Sequence, residues 1–231
     1  MHQLVALFLA AFFVLPFPVV TERAASKAED RLVNVKGQIH LDDTSRFTFK
    51  SLSVFVQYRR DKDQPWKAIG SITPDKDGRF VVPILAGSRV SVEVTTSDPT
   101  VRRSTGTTEP LEFYAMEFNR RVTVLQQEFM VPDDASESVE PTFELQRGAA
   151  FKVCFPNGLK SGAVHFRRQV ERYEDGVNVW TFSDPTSTSE AILGGLVPGP
   201  WQVSIVDNND AELVPQPVDL QRAQVSQMKC E

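Results

Sequence analysis

Histidine and cysteine are scarce in this sequence of 231 residues, which contains three histidines and two cysteines. No histidine is near either cysteine in sequence, so the cysteines lack the partners that a structural zinc site needs. Beyond residue 28 only His40 and His165 remain, each alone on a predicted strand. We interpret both as surface or core residues. The sequence therefore predicts no catalytic or metal-binding set and no cofactor.

Motifs of familiar chemistry are also missing. The sequence has no His-Glu-x-x-His helix, no Gly-x-Ser-x-Gly elbow and no Gly-x-x-x-x-Gly-Lys phosphate loop. The segment Asp75–Gly78 has the acids of a calcium loop, but Ile84 stands where an EF-hand needs its glutamate. We interpret the segment as a turn and predict that the protein is not an enzyme. An enzyme with an unrecognised carboxylate site is the alternative.

Positive charge is in deficit, because 25 lysines and arginines face 30 aspartates and glutamates and the net charge is -5. The basic pairs are spread through the chain and have acidic neighbours, which is typical of solvated strand faces. A duplex-binding protein normally carries a basic patch that releases counterions. We therefore expect no nucleic-acid partner.

The N-terminus is apolar and uncharged from Leu4 to Val20, and small polar residues follow it. This order predicts an export signal over residues 1–28, cut between Ala24 and Ala28. No lysine or arginine precedes the run, whose length approaches that of a membrane span, so a retained anchor is the alternative. In both cases the rest of the chain lies outside the cytoplasm: secreted, periplasmic or at the cell surface. A membrane contact is expected only if the segment is retained.

The two cysteines, Cys154 and Cys230, fit an oxidising compartment. Cys154 lies in a predicted strand that opens the second half of the chain, and Cys230 is the penultimate residue. We predict a disulfide between them, which the chain-entropy model values at roughly 4 kcal/mol. Two free thiols are the alternative.

Apolar and polar residues alternate with period two in many short segments, such as Leu32–Ile39 and Leu52–Tyr58. This alternation predicts strands with one buried face. Residues suited to chain reversal separate them. They are Asp75, Asp77, Gly78, Gly87, Pro198 and Gly199.

One segment departs from this pattern. Leu111, Tyr114 or Ala115, and Phe118 recur at helical spacing after Pro110, a residue suited to a first helical turn. We expect one short helix over 110–118.

The two halves of the chain repeat each other at an offset close to 111 residues. The acidic, apolar-poor segment after residue 132 cannot bury enough surface to order itself and predicts a linker. We expect a first domain over 31–132, a linker over 133–140 and a second domain over 141–231. The matched pairs are Gly37 and Gly148, Val54 and Val164, Phe80 and Ala191, Gly87 and Gly199, Val92 and Val203, and Val94 and Ile205.

These motifs resemble the transthyretin-like, or carboxypeptidase regulatory-like, β-sandwich family. The first half carries the Asp-x-Asp-Gly-x-Phe turn as Asp75–Phe80 and the following Leu-x-Gly turn as Leu85–Val90; the second half carries Leu196–Trp201 but lacks the Asp-Gly turn. The resemblance implies an all-β fold of two tandem Ig-like or prealbumin-like sandwiches. It also implies an accessory, adhesive or surface role. The hydrolase branch of this family carries several histidines in its site and ends in a different sequence from Gln227–Glu231. The resemblance therefore does not extend to that branch.

Trp66 stands in a polar loop and is the candidate contact for a partner, since exposed aromatics often mark recognition surfaces. Packing at the end of the sandwich is the alternative. We expect an exported, non-catalytic binding or structural module, with an unknown protein or glycan at the cell surface as its partner. A carbohydrate- or protein-binding accessory to a separate hydrolase is the second hypothesis.

Overall fold

The computed structural model describes residues 31–103, 114–116, 121–135, 137–154, 161–170, 173–183, 190–207, 209 and 212–227. In these residues the secondary structure is almost entirely β, as predicted; the exception is a 3-10 helix over Phe49–Ser51. Its N-cap residue Thr48 accepts a hydrogen bond from the backbone N–H of Lys50. Residues 1–30, with the predicted signal or anchor, lie outside the described part.

The described residues of the first half form ten strands. They are β1 (Leu32–Leu41), β2 (Leu52–Arg59), β3 (Lys67–Ile72), β4 (Arg79–Leu85), β5 (Arg89–Thr96), β6 (Val101–Arg103), β7 (Tyr114–Met116), β8 (Val122–Met130), β9 (Ser138–Val139) and β10 (Thr142–Arg147).

The second half contains seven described strands. They are β11 (Ala149–Cys154), β12 (Ser161–Val170), β13 (Tyr173–Ser183), β14 (Glu190–Leu196), β15 (Gly199–Asp207), β16 (Glu212–Leu220) and β17 (Val225–Gln227).

Two sheets form the first sandwich. One has the order β4-β1-β10-β6, with β9 also paired to β1, and the other has the order β3-β2-β5-β8. The alternation seen in the sequence directs every second side chain inward, so that Val54 and Val92 are fully buried. Phe80 and Phe143 stack at 5.8 Å between ring centroids in the same core.

Two further sheets form the second sandwich, in the orders β17-β11-β14-β7 and β13-β12-β15-β16. Their core centres on Phe166, whose ring meets Phe151 at 5.6 Å and Trp201 at 6.1 Å, both edge to face. The indole N–H of Trp201 donates to the carbonyl of Val197 at 2.9 Å, so the buried polar atom is satisfied.

The two sandwiches share one strand plan. The order β3-β2-β5-β8 corresponds to β13-β12-β15-β16, and β4-β1-β10 corresponds to β14-β11-β17, with a parallel last pair in both. Val54 pairs with Val94 and Val164 pairs with Ile205, which fits the repeat found in the sequence. That the halves arose as tandem copies stays a prediction.

One pair of the predicted repeat does not correspond. Gly37 lies inside β1, opposite Phe80, whereas Gly148 precedes β11. Gly37 leaves room for the Phe80 ring, because a Cβ there would lie 2.1 Å from a ring carbon. Gly148 instead allows a close backbone approach between the halves, so the two glycines serve different contacts.

The predicted helix over 110–118 is wrong in its described part. Tyr114–Met116 is strand β7, and it pairs antiparallel with Ile192–Gly194 of β14 in the second sandwich. An open sheet edge offers backbone partners that local helical spacing does not reveal. The remaining residues of this segment lie outside the described residues.

The predicted linker and the strand after it belong to the first core. Ser138 pairs with Asn34 of β1, and Ala135 and Val139 pack against the first core. Phe143 and Leu145 of β10, which the sequence assigned to the second domain, are buried there too. Long-range pairing with β1 therefore orders a segment that composition alone predicts to be loose. The domain limits as a whole stay a prediction.

Candidate functional site

The predicted turn at Asp75–Gly78 stabilises itself. One carboxylate oxygen of Asp75 accepts hydrogen bonds from the backbone N–H groups of Asp77 and Arg79, each at 2.8 Å. The bond from Arg79 is the main cause that lowers the pKa of Asp75. Gly78 has φ of 80°, the left-handed region that glycine adopts without a steric cost. The Asp75 carboxylate and Gly78 thus stabilise the backbone of their own turn.

The other predicted turn residues lie at sheet connections. Gly87, with φ of 72°, joins β4 to β5, and its N–H donates to the carbonyl of Val131. Pro198 and Gly199 join β14 to β15. None of the predicted turn residues is brought together with another turn to form a shared pocket in the described residues.

No described group of three or more histidine, cysteine, aspartate or glutamate side chains could hold a metal ion. His40 is exposed on β1, and His165 lies opposite Ser204 on β15. The hydroxyl of Ser204 donates to Glu212 at 2.5 Å and is buried, so it is not presented as a nucleophile. The Nδ1 atom of His165 is buried without a partner among the described residues.

Cys154 ends β11, which confirms the predicted strand, while Cys230 lies outside the described residues. The parallel pairing of β11 with β17 brings Lys152 opposite Gln227. The disulfide stays a prediction.

Arg147, at the end of β10, lies beside the contact between the two sandwiches, here called the joint, and its side chain packs on residues of the first sandwich. Its guanidinium lies 2.8 Å from a carboxylate oxygen of Asp98 and 5.1 Å from the centre of the Phe47 ring. The Arg147 side chain is 4% exposed. Asp98 also accepts hydrogen bonds from the backbone N–H and the hydroxyl of Thr100, at 2.9 and 2.6 Å.

Opposing effects act on the Asp98 carboxyl. Burial raises its pKa, but the hydrogen bonds from Thr100 and Arg147 outweigh burial and hold the pKa below its ordinary value of 3.8. Asp98 is therefore ionised at neutral pH and compensates the buried charge of Arg147.

A second carboxylate connects the halves directly. Asp42, just after β1, accepts a hydrogen bond from the backbone N–H of Arg147 at 2.7 Å and forms an ion pair with Arg222 of the second half. One acidic side chain thus contacts the last strand of the first sandwich and a turn of the second.

Backbone hydrogen bonds complete the joint. Gly148 donates to Thr100 at 2.7 Å and accepts from Ala223 at 2.8 Å, and Gly195 donates to Pro99 at 2.9 Å. Strand β7 adds its pairing with β14. The two sandwiches are therefore joined by main-chain contacts as well as by side chains.

The charged residues of the joint, Arg147, Asp98 and Asp42, were not singled out from the sequence. A signal was present: Phe143, Leu145 and Arg147 alternate, so Arg147 occupies an inward position of its strand. A charged side chain at an inward position requires a buried partner. The sequence could therefore have predicted that Arg147 needs a buried partner, but it does not identify Asp98 as that partner.

The opposite end of the first sandwich, here called the distal pole, carries Trp66. Strand β5 runs from Arg89 at this pole towards Asp98 at the joint. Trp66 follows the β2–β3 turn and is half-buried against Arg59, whose guanidinium carbon lies 4.4 Å from the ring centre. Arg59 donates to the carbonyl of Lys62 at 2.9 Å. The Trp66 ring is thus held at an exposed hairpin end.

No family model and no curated protein matches the chain. Similar solved structures include the shaft pilin SpaA from Lactobacillus rhamnosus GG, at 5% identity and a TM-score of 0.35, covering 85% of this chain and 96% of the pilin. A putative adhesin from Bacteroides ovatus is similar at 12% identity and a TM-score of 0.38, covering 80% of this chain and 75% of the adhesin. The fimbrial anchor protein Mfa2 from Porphyromonas gingivalis is similar at 10% identity and a TM-score of 0.35, covering 80% of this chain and 82% of Mfa2. Likenesses this weak establish neither a common fold nor a common function.

The specific transthyretin-like or carboxypeptidase regulatory-like resemblance has no support from these comparisons and stays a prediction. In the described residues, no helix has the length and apolarity that a membrane span requires.

Proposed function

We propose that this chain is an exported, non-catalytic structural or adhesive module whose two sandwiches act as one stiff unit. The observation that supports this most is the joint, where β7 of the first half pairs with β14 of the second and Asp42 forms an ion pair with Arg222. A flexible connection between independent domains normally has few contacts across it. A stiff unit suits a protein that holds a binding surface away from its attachment.

Small-angle X-ray scattering tests the stiffness. The full chain is expected to scatter as a single shape, and Arg147→Met is expected to add an extended population. Lys50→Met, at an exposed lysine, is the control and should leave the curve unchanged. A wild-type curve that requires a broad set of interdomain distances would contradict the proposal.

Export is tested separately by cell fractionation of the full chain beside a variant lacking residues 1–28. We expect the full chain outside the cytoplasm and the deletion variant inside it. Equal cytoplasmic amounts of both would refute export.

We also propose the Cys154–Cys230 disulfide. The support for it is the parallel register of Lys152 with Gln227, since Cys154 is two positions further along the chain than Lys152 and Cys230 is three positions further than Gln227. Non-reducing peptide mapping of the exported protein should recover one peptide pair holding both cysteines. Two alkylated, unlinked cysteines would contradict the bond.

Trp66 is the proposed contact residue, because it is the aromatic side chain held at the hairpin end by Arg59. The hypothesis of a carbohydrate-binding accessory to a hydrolase predicts retention on a glycan array that Trp66→Ala abolishes. Absence of any retained glycan would count against that second hypothesis.

A further inference from the structure

Two complementary surfaces lie side by side at the distal pole. The first is the Trp66 hairpin, residues Arg59–Lys67; the second is a shallow depression beside Met130, here called the linker depression. Arg59, Arg89 and Met130 occupy one row across β2, β5 and β8. Neighbouring strands lie about 4.8 Å apart, so the hairpin base and the depression are separated by roughly 10 Å.

The Trp66 hairpin is a cationic surface whose aromatic ring is held in place before any partner binds. Arg59 covers one part of the indole and is itself fixed by the Lys62 carbonyl, which limits the entropy lost when the indole is buried. The hairpin has four basic and two acidic residues. Asp61 turns its carboxylate towards the backbone N–H of Asp63. Lys62 and Lys67 are exposed and have no ion-pair partner among the described residues.

The linker depression has the opposite character. It is open to solvent and has a volume of about 560 Å³, and its apolar residues include Met130, which is 57% exposed, and Val139. Asp134 and Glu137, both exposed, supply the charge at its edge. An exposed methionine can contact the face or edge of an aromatic ring, and carboxylates beside it can pair with basic residues next to that ring.

We propose that the distal pole binds the distal pole of a second copy of this chain, with each Trp66 hairpin seated in the partner's linker depression. An isologous contact needs one patch that carries both complementary surfaces, and this pole carries both. Trp66 and Met130 supply apolar burial, while Lys62 and Lys67 face Asp134 and Glu137. The inference rests on the proposed function and names the partner of its contact residue.

Charge favours a second copy over a glycan. A neutral sugar would leave the lysines and the carboxylates without partners, and an acidic sugar would be repelled by Asp134 and Glu137. A second copy satisfies both groups at once.

Sedimentation velocity of the full chain over a range of concentrations tests the proposal. The wild type is expected to form a concentration-dependent dimer. Lys62→Glu with Lys67→Glu, Asp134→Lys with Glu137→Lys, and Trp66→Ala are each expected to weaken dimerisation at least roughly tenfold. Combining both charge reversals in one chain should restore the dimer. Lys50→Glu, at an exposed site away from the pole, is the matched control and should change nothing.

Each contrary outcome is decisive. A monomeric wild type, a dimer that persists in Trp66→Ala, or charge reversals without rescue would overturn the inference. Retention of a glycan by the monomer, lost in Trp66→Ala, would assign the hairpin to sugar binding instead. Association through the apolar N-terminus would be insensitive to the charge reversals. If the protein is monomeric in sedimentation but scatters as a single stiff shape, the dimer inference fails and the proposed function is still supported.

Discussion

The first sandwich has an arginine against an aromatic ring at each end, and the two pairs differ in burial. At the joint, Arg147 lies 5.1 Å from Phe47, is almost inaccessible and is neutralised by Asp98. At the distal pole, Arg59 lies 4.4 Å from Trp66, is half-buried and bonds only a backbone carbonyl in the described contacts.

An arginine packed against an aromatic ring therefore has a different role at each end. A charge removed from water requires an opposite charge and hydrogen bonds, so the loss of either Arg147 or Asp98 alone is expected to destabilise the first sandwich at the joint. The half-buried Arg59 keeps part of its guanidinium in contact with water, so its charge costs less to keep than that of Arg147, and the pole can present its aromatic ring to a partner. The comparison predicts stability effects at the joint and binding effects at the pole.

The largest stability effect is expected for Arg147→Met. It leaves Asp98 partly buried without its cation, which typically costs about 3 kcal/mol of unfolding free energy. Urea unfolding followed by circular dichroism measures it. Removing both charges, in Arg147→Met with Asp98→Leu, should cost less than Arg147→Met alone.

Arg59→Met and Trp66→Ala are the matched controls at the pole. Each should change the unfolding free energy by no more than about 1 kcal/mol, the size of an exposed cation–π contact. Equal losses at the two ends would remove the distinction between them.

A smaller effect is expected for Gly148→Ala. A Cβ there would lie 2.6 Å from the backbone oxygen of Leu196, which belongs to the second sandwich and cannot rotate away. We expect a loss of about 2 kcal/mol from the forced backbone shift. Glu144→Ala, an exposed change on the preceding strand β10, should cost no more than about 0.5 kcal/mol. A neutral Gly148→Ala would show that the halves are not in close contact at this point.

The smallest effect is a pH dependence at the joint. The folded-state pKa of Asp98 is below its ordinary value of 3.8, so the unfolded chain takes up the proton first as the pH falls. The stability that ionised Asp98 contributes is complete above pH 3.8 and is lost as the pH falls through the folded-state pKa. The difference in unfolding midpoint between wild type and Asp98→Asn should therefore shrink below pH 3.8. A constant difference would show that the Asp98 charge does not stabilise the joint.

Local patterns predicted most of the strands. Alternation in Leu52–Tyr58 and in the segment around Val92 depends only on which side chains enter the core, and the same residues are buried in the structure. The turn at Asp75–Gly78 was also predictable, because its hydrogen bonds form within five consecutive residues. The candidate contact Trp66 was found from its polar surroundings, but its Arg59 partner was not.

The sequence by itself determined that the chain forms short amphipathic strands with turns between them, in two halves of similar plan. Only the tertiary structure decided that β10 completes the first sheet, that β7 joins the second, and that Arg147 is buried. Side-chain alternation is a property of neighbouring residues, whereas the choice of a strand's partner depends on which sheet edges and charges are brought together by the rest of the fold. Asp98 and Arg147 are 49 positions apart, and no local pattern joins them.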